Sequence, residues 1–483
     1  MGGDSSVRHP SSVVDPVAHR RLLRSSAAAT SPRIRATLER RLGPIDAAAI
    51  VISNVIGGGI FFVPVVVAQL VSQPAAMLGV WLVGGALAFA GAMAYAELAA
   101  LRPHAGGEYV YLREAFGPLA AFLTGWTSFV AGFSGAIAAS SVALANYVGH
   151  FFPPAADTRA ILSIPVLSLS VSPRSIVALT AIAALTILHL RGLGPGRFVQ
   201  NLLAAIKVSA IVLLVALGLS IGRGEASHFS AGGAVGPVAF LLALVPVMFS
   251  YSGWNAAAYV AEEVRDPERN VPLALGLGTA VVVVLYVLLN ALYVFAIPVA
   301  DLAALPGGRL MDTVAERLFG FAAGNLLALF TIISIAASVS AMVLAGPRVY
   351  YAMARDGLFV PAAGRVHPRF HTPAVAIVAQ GAWSSVLVLS GTLSQLVSYT
   401  GFAVVLFSGV AVVALFVLRR RHPHAHRPFS ALGYPWAPAV FVAASAVMVV
   451  NEIWRNGTTA AAGIAIIAFG VPVYYLMRRA PRA

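Results

Sequence analysis

The stretch AIVISNVIGGGIFFVPVVVAQ, residues 49–69, is apolar over the length of a membrane crossing, yet three consecutive glycines lie near its middle. A spanning helix needs about 20 apolar residues, and each glycine costs a helix about 1 kcal/mol relative to alanine. Close helix packing at small residues is the alternative reading, and it fits one glycine better than three. Because unpaired backbone is costly in hydrocarbon, a break must line a cavity or pack within protein. The stretch therefore predicts a membrane helix unwound at Gly57, Gly58 and Gly59.

The remainder of the 483-residue chain has the composition of a membrane protein: 59% of its residues are apolar and 10% are charged. Soluble domains are about 45–50% apolar and about 25% charged. Twelve apolar runs are long enough to cross a bilayer, and they are called spans 1 to 12 here. They cover residues 45–69, 75–101, 118–150, 174–191, 197–221, 237–261, 272–297, 315–346, 373–390, 395–418, 435–452 and 458–477. The chain has no cysteine, which excludes disulfides and thiolate metal sites, and we expect neither a cofactor nor a metal.

The distribution of the basic residues predicts the orientation in the membrane. All but one of the 32 lysine and arginine residues are arginines. With the N-terminus in the cytosol, 25 arginines fall on the cytosolic side and six on the opposite side. Cytoplasmic loops of membrane proteins carry such an excess. We therefore expect both termini in the cytosol, in a plasma or bacterial inner membrane. The topology in the lipid bilayer then explains the net charge of +14, and we do not expect nucleic-acid binding.

Span 6 repeats the interruption of span 1. It lies within VAFLLALVPVMFSYSGWNAAAYVAEEV, residues 238–264, where Pro246 precedes a weak point at residues 250–253. Broken helices five spans apart are typical of transporters built from two inverted repeats of five helices, with the substrate at the breaks. The predicted organisation is a disordered basic cytosolic tail, an inverted-repeat core, a basic cytosolic loop, and two further helices with a short cytosolic C-terminal tail. The four segments cover residues 1–43, 44–418, 419–434 and 435–483.

A broken helix also predicts a chemistry. The second half presents backbone amides at its N-terminus, where the helix dipole favours a carboxylate. The first half presents carbonyl groups at its C-terminus, which suit an ammonium. An α-amino acid carries both groups close together, so the two breaks predict an amino acid as the substrate.

Four motifs then connect the chain with a known family. They are IGGGIF (56–61), GGEYVYLREAFGP (106–118), FSYSGWNAAAYVAEEVRDPERNVP (249–272) and GPRVYYAMARDGLFVP (346–361). In this order the chain resembles the amino acid–polyamine–organocation (APC) superfamily, particularly bacterial permeases and L-type amino acid transporters, from about residue 44 to 478. The resemblance implies an all-α membrane protein of twelve helices, with a leucine-transporter-like five-plus-five inverted repeat and two added helices. It also implies alternating access, with a proton or a counter-substrate amino acid as the coupling partner.

The resemblance assigns substrate-binding positions at both breaks. They are Ile56, Gly57, Gly58, Gly59, Phe249, Ser250, Ser252, Gly253, Trp254 and Asn255. The glycine amides would meet the substrate carboxylate, and the carbonyls of Phe249, Ser250 and Ser252 would meet its ammonium. Phe249 would also close over the substrate as a gate, unless it is only a core aromatic. Trp254 and Asn255 would form pocket walls, although an interhelical hydrogen bond explains Asn255 nearly as well.

A charged group at the end of span 6 suggests a cytosolic gate. Glu262, Glu263 and Arg265 follow the break, and Arg348 lies in the fourth motif. We expect these residues to form a latch between cytosolic segments, away from the substrate. The alternative is a solvated loop, whose individual salt bridges are worth little.

Lys207, the only lysine, lies ten residues into span 5, about 15 Å from the cytosolic end. A lysine near mid-bilayer costs roughly 2.5–3.5 kcal/mol on insertion scales, so a functional role is the default. The resemblance implies that its ammonium approaches the break in span 1 and takes the place of a sodium ion. Sodium coupling is then not expected. Ser338 and Ser340 are its candidate partners in span 8, and the sequence leaves open whether Lys207 titrates or only tethers.

These features predict a secondary amino acid transporter and not an enzyme. The assigned pocket residues carry no charge, which favours a neutral amino acid. A polyamine, ethanolamine or cationic amino acid is the alternative, but a polyamine carrier needs acidic residues facing the pocket, and none is expected there. An embedded enzyme would need a nucleophile or histidine near a span centre, and a channel would lack saturable, stereoselective counterflow.

Overall fold

The computed structural model describes residue 2 and residues 37–164, 169–230, 233–306, 310–320, 324–390 and 393–479, without the side chains at 393–400, 459 and 479. Most of the predicted basic tail, residues 1 and 3–36, lies outside this part of the chain. From Leu38 onward the described residues pack as one unit.

The described residues contain the predicted number of apolar helices. Nine are long and apolar enough to cross a membrane, and three shorter apolar helices, Pro44–Val55, Pro237–Tyr251 and Ala374–Leu389, belong to spans 1, 6 and 9. The other spans, in chain order, are Pro74–Leu101, Pro118–Val148, Pro173–Leu190, Leu193–Ser220, Pro267–Ala296, Gly324–Ala345, Leu393–Arg421, Trp436–Arg455 and Gly457–Arg479. Shorter helices are Glu108–Phe116, Val299–Ala303, Leu310–Phe319 and Pro347–Arg355, and Leu162–Ile164 pairs antiparallel with Leu169–Val171.

Spans 1 and 6 are both interrupted, as predicted. In span 1, Pro44–Val55 is followed by a single 3-10 turn, Gly59–Phe61, and then by Val63–Leu70. In span 6, helix Pro237–Tyr251 ends and the chain resumes as Ala256–Tyr259. Pro246 lies inside the first half of span 6 without ending it.

The predicted start of span 8 at residue 315 is wrong. Leu310–Phe319 is a separate helix, and the span begins at Gly324. The separate helix carries Asp312, Glu316 and Arg317 between its buried apolar residues, so its apolar face resembles the start of a span in sequence. Gly320, with φ of +85°, ends this helix, in the left-handed conformation that commonly follows a helix C-terminus.

Packing places the two broken spans side by side. The amide of Leu42, just before span 1, donates to the carbonyl of Glu263 at 2.9 Å, and the amide of Arg265 donates back to Leu42 at 2.9 Å. Outward-facing positions such as Leu213, Val284 and Leu326 are more than half exposed, at 58%, 57% and 71%. Such apolar side chains on the outside of the bundle fit contact with lipid.

Candidate substrate-binding site

The two breaks face one cavity of about 200 Å³, more than ten times the ~10–15 Å³ that a cavity needs to hold one water molecule. Spans 3, 8 and 10 complete its walls. Among the residues predicted to act here, those that line the cavity are Gly57, Gly58, Gly59, Phe249, Ser250, Ser252, Gly253, Asn255 and Ser338. The cavity is therefore large enough for a small organic ligand.

The glycine break offers two backbone amides. The amide of Gly57 donates to the carbonyl of Val55 at 2.8 Å and is satisfied within the turn. Within the described residues, no hydrogen bond uses the amide of Gly58 or that of Gly59. Both residues line the cavity, so these two amides are the donors that a ligand carboxylate could use.

The carbonyl groups of span 6 are less free than the sequence predicts. The carbonyl of Phe249 accepts from the amide of Ser252 at 3.0 Å. The Tyr286 hydroxyl lies 3.2 Å from the carbonyl oxygen of Ser250 and 3.0 Å from that of Val55. No hydrogen bond among the described residues uses the carbonyl of Ser252. Ser252 is thus the most available acceptor for an ammonium, while Phe249 and Ser250 could accept only through a second lone pair.

Two close approaches hold the breaks together. Gly253 has φ of +101°, and a Cβ there would lie 2.8 Å from Asn54 Nδ2 and 3.1 Å from the Asn54 carbonyl carbon. The Asn54 side-chain amide donates to the carbonyl of Gly253 at 3.3 Å. At Gly59 a Cβ would lie 2.7 Å from Ser250 Oγ and 3.3 Å from Ser250 Cα. The backbones of spans 1 and 6 therefore meet at positions where only glycine fits.

Gly59→Ala is expected to destabilise the fold, whereas Gly58→Ala should fold as the unmodified protein does. The Ser250 hydroxyl can rotate away, but its Cα must also shift, and overpacking of this kind costs about 1–3 kcal/mol. Strain of that size is expected to lower the thermal unfolding midpoint of the Gly59 variant. A Cβ at Gly58 has no neighbour within 4 Å, so this variant is the matched control for folding. Equal thermal unfolding midpoints for the two variants would contradict the close approach at Gly59.

Two predicted pocket residues lie elsewhere. Ile56 is fully buried and its carbonyl faces span 5. Trp254 is 4% exposed and packs edge-on against Tyr95 and Phe441, with ring centroids 4.9 and 5.5 Å apart. The structure places Trp254 outside the cavity lining, because the chain after Gly253 turns this side chain towards spans 2 and 11.

Lys207 is fully buried behind the break. Its ammonium donates to the carbonyl of Ser53 at 3.2 Å and to that of Ile56. Both acceptors belong to the end of the first half of span 1. No hydrogen bond from Lys207 to Ser338 or Ser340 is present in the described part of the chain. Ser338 instead faces Gly57, where a Cβ would lie 3.3 Å from its hydroxyl.

Ser340, the other predicted partner of Lys207, faces a different part of the bundle. Its hydroxyl lies 2.9 Å from His189 Nε2 of span 4, and both side chains are buried. Ser340 is two positions after Ser338, which corresponds to a rotation of about 200° around the helix. The two serines therefore face different neighbours.

A sequence profile described as "Amino acid permease" matches residues 42–477 of the chain. The chain belongs to the amino acid permease family. The predicted fold class is confirmed, since the twelve apolar helices with breaks in spans 1 and 6 fit the twelve-helix, leucine-transporter-like fold of the APC superfamily. The permease is thus a multi-pass membrane transporter and not an enzyme.

Curated relatives cover nearly the whole permease. The cystine/glutamate transporter of Homo sapiens is 30% identical over 444 residues, which cover 91% of this chain and 85% of the relative. The serine/threonine exchanger SteT of Bacillus subtilis is 28% identical over 445 residues, covering 92% of this chain and 98% of the relative. The large neutral amino acids transporter small subunit 2 of Mus musculus is 28% identical over 469 residues, covering 92% and 84% respectively.

The charged residues predicted to form the cytosolic gate of the permease lie apart from the cavity lining. Glu263 and Arg348 are both 1% exposed and form a two-pronged ion pair, with N–O distances of 2.7 and 3.0 Å. Glu262 accepts from the amide of Ala105 at 3.0 Å and lies 3.3 Å from Arg355. The Arg265 side chain is exposed. Glu262, Glu263 and Arg348 thus connect the end of span 6 with the segment after span 2 and the helix Pro347–Arg355.

One acidic residue of the permease cavity was not predicted from the sequence. Glu108, the first residue of helix Glu108–Phe116, lines the cavity, so the expectation that no acid faces the pocket is wrong. The signal in the sequence is the carboxylate inside the motif GGEYVYLREAFGP, residues 106–118, between spans 2 and 3. Thr124, Thr127 and Ser128 of span 3 also line the cavity, next to a π-helical turn at Ser128–Gly132. Such turns often occur at functional sites.

Proposed function

We propose that this permease transports neutral amino acids by alternating access, as an exchanger or with protons, and without sodium. The observation that carries the proposal is the pair of breaks facing one cavity. Gly58 and Gly59 offer free amides on one side, and Ser252 offers a free carbonyl on the other. The α-carboxylate and α-ammonium of an amino acid match these groups.

The cavity walls and the relatives support a neutral substrate. Apart from Glu108, its lining consists of small, apolar or uncharged polar residues. Two of the three relatives above are named for serine and threonine or for large neutral amino acids, and one is named an exchanger. Phe249 lines the cavity beside Gly401, where a Cβ would lie 3.4 Å from its ring, and in this proposal it acts as the gate over the substrate.

Lys207 and the latch residues take the coupling and gating roles in this proposal. The Lys207 ammonium lies at the end of the first half of span 1 and donates to the carbonyls of Ser53 and Ile56. In this proposal it takes the place of a bound sodium ion. The Glu263–Arg348 pair keeps the segments beside span 6 together on the side rich in arginine. That side is the cytosolic one in the proposed orientation, with both termini in the cytosol.

The substrate is identified by a thermal-shift screen of the purified protein against the twenty L-amino acids, with the D-enantiomers as controls. A ligand at about 100 times its Kd stabilises the protein by about 2.7 kcal/mol. We expect a raised unfolding midpoint with one or more neutral L-amino acids and none with their D-forms. If no amino acid raised the midpoint, the proposed function would be contradicted.

A further inference from the structure

Glu108 is an acid with an unusual position, because it faces the cavity while the protein encloses it on its other sides. It lies on the short helix between spans 2 and 3 and is only partly exposed, at the cavity wall. The Tyr95 hydroxyl of span 2 donates to its carboxylate at 2.6 Å. The Tyr259 hydroxyl of span 6 also interacts with it and accepts from the Asn255 amide at 3.1 Å. The carboxyl group is thus built into a polar wall of the proposed substrate site.

No cation accompanies this carboxyl group among the described residues that act on it. The groups that face it or its hydroxyl partners are neutral: Tyr95 and Ser408 from spans 2 and 10, Asn255 and Tyr259 from span 6, and Tyr111 from its own helix. The arginines nearby in sequence are paired with other acids. Arg102 bonds Glu114 at 2.5 Å, and Arg113 bonds Asp356.

An enclosed carboxylate without a counter-ion has two ways to avoid an unpaired buried charge. It can bind a proton, or it can pair with a cation that a ligand brings into the cavity. Burial raises the pKa of the Glu108 carboxyl above its ordinary value, and the hydroxyl groups of Tyr95 and Tyr259 offset part of that rise. Below the raised pKa the wall is neutral, and above it the wall carries one negative charge.

We propose that Glu108 sets the side-chain charge that the cavity accepts: protonated, it admits neutral amino acids only, and ionised, it also binds a cationic side chain. The inference rests on the proposed function, because it assigns a specificity determinant within the same cavity. Raising the pH then adds cationic amino acids to the substrate range without removing the neutral ones.

Binding of L-lysine to the purified protein tests this inference, measured as the rise in unfolding midpoint at about pH 5.5 and about pH 8. The lysine side chain titrates near 10.4, so its charge is constant over this range. We expect neutral amino acids to stabilise the wild-type protein at both pH values. L-Lysine should bind at least about tenfold more tightly at the higher pH, since a desolvated ion pair is gained.

Glu108→Gln removes the titration but keeps a hydrogen-bond acceptor for both tyrosines. This variant should still bind neutral amino acids at both pH values and should bind L-lysine weakly at both. Glu114→Gln, on the same helix and outside the cavity lining, is the matched control and should behave as wild type. Tyr95→Phe removes a donor to the ionised form, so the pH at which lysine begins to bind should rise. If Glu108 had only a structural role, Tyr95→Phe would not change the pH at which lysine begins to bind.

The outcomes separate the inference from the proposed function. If Glu108→Gln kept the pH-dependent binding of lysine, the inference would be overturned. The same holds if wild type bound neutral amino acids but never lysine, and in both cases the proposed function survives. If wild type bound no amino acid at either pH, the proposed function would fail and the inference with it.

Discussion

Lys207→Ala is expected to reduce amino acid transport at least about a hundredfold while the protein still folds. The ammonium donates to the carbonyls of Ser53 and Ile56, where the first half of span 1 ends. Hydrogen bonds to a charged group are worth about 1.5–3 kcal/mol each, and each 1.4 kcal/mol changes an equilibrium about tenfold. Without the ammonium, the break that presents Gly58 and Gly59 loses the group that holds its end in place.

The control for this variant is Ile206→Ala. Ile206 is the preceding residue of the same span, but its side chain is 38% exposed on the outside of the bundle. We expect near wild-type counterflow for Ile206→Ala in proteoliposomes and almost none for Lys207→Ala, with both proteins monodisperse in gel filtration. Wild-type counterflow by Lys207→Ala would contradict the proposed coupling role of Lys207.

Breaking the Glu263–Arg348 pair is expected to cause the largest loss of stability. Both side chains are 1% exposed, and removing one partner of a buried pair costs about 3–5 kcal/mol because the other charge stays buried and unpaired. Glu263→Ala and Arg348→Ala should each lower the thermal unfolding midpoint strongly. The double variant Glu263→Leu/Arg348→Met should be more stable than either single variant, since it leaves no unpaired charge.

Arg355→Ala provides the comparison for an exposed pair. The Arg355 side chain is 55% exposed and lies 3.3 Å from Glu262, so its loss should cost less than about 1 kcal/mol. If Arg355→Ala were as destabilising as Arg348→Ala, burial would not explain the loss of stability expected on breaking the Glu263–Arg348 pair. A double variant no more stable than the single ones would show that the ion pair itself stabilises the fold.

Local patterns predicted the spans and both breaks. An apolar run of about 20 residues has few alternatives in a chain of this composition, and the Gly57–Gly59 triplet carries its helix-breaking cost wherever it lies. Span 8 started in the wrong place because the helix Leu310–Phe319 has an apolar face that continues the hydrophobic pattern. The start of span 8 depends on the end of that helix at Gly320, and the apolar pattern continues across this point without a signal.

The cavity lining was predictable only at the breaks themselves. Glu108 reaches the cavity on a short helix that packs against spans 3 and 10. The Tyr286 hydroxyl donates to the Ser250 carbonyl from 36 residues away. Trp254 is next to Gly253 in sequence but points towards Phe441, 187 residues further along the chain. Such contacts depend on tertiary packing, which no periodicity along the chain encodes.

The most direct measurement of the proposed function is counterflow of a radiolabelled neutral L-amino acid into proteoliposomes in sodium-free buffer. We expect saturable uptake that prefers the L-form, rises when unlabelled amino acid is present inside, and is unchanged when sodium replaces choline. Uptake no greater than in protein-free liposomes, or uptake that requires sodium, would contradict a sodium-independent amino acid transporter with Lys207 as its built-in cation.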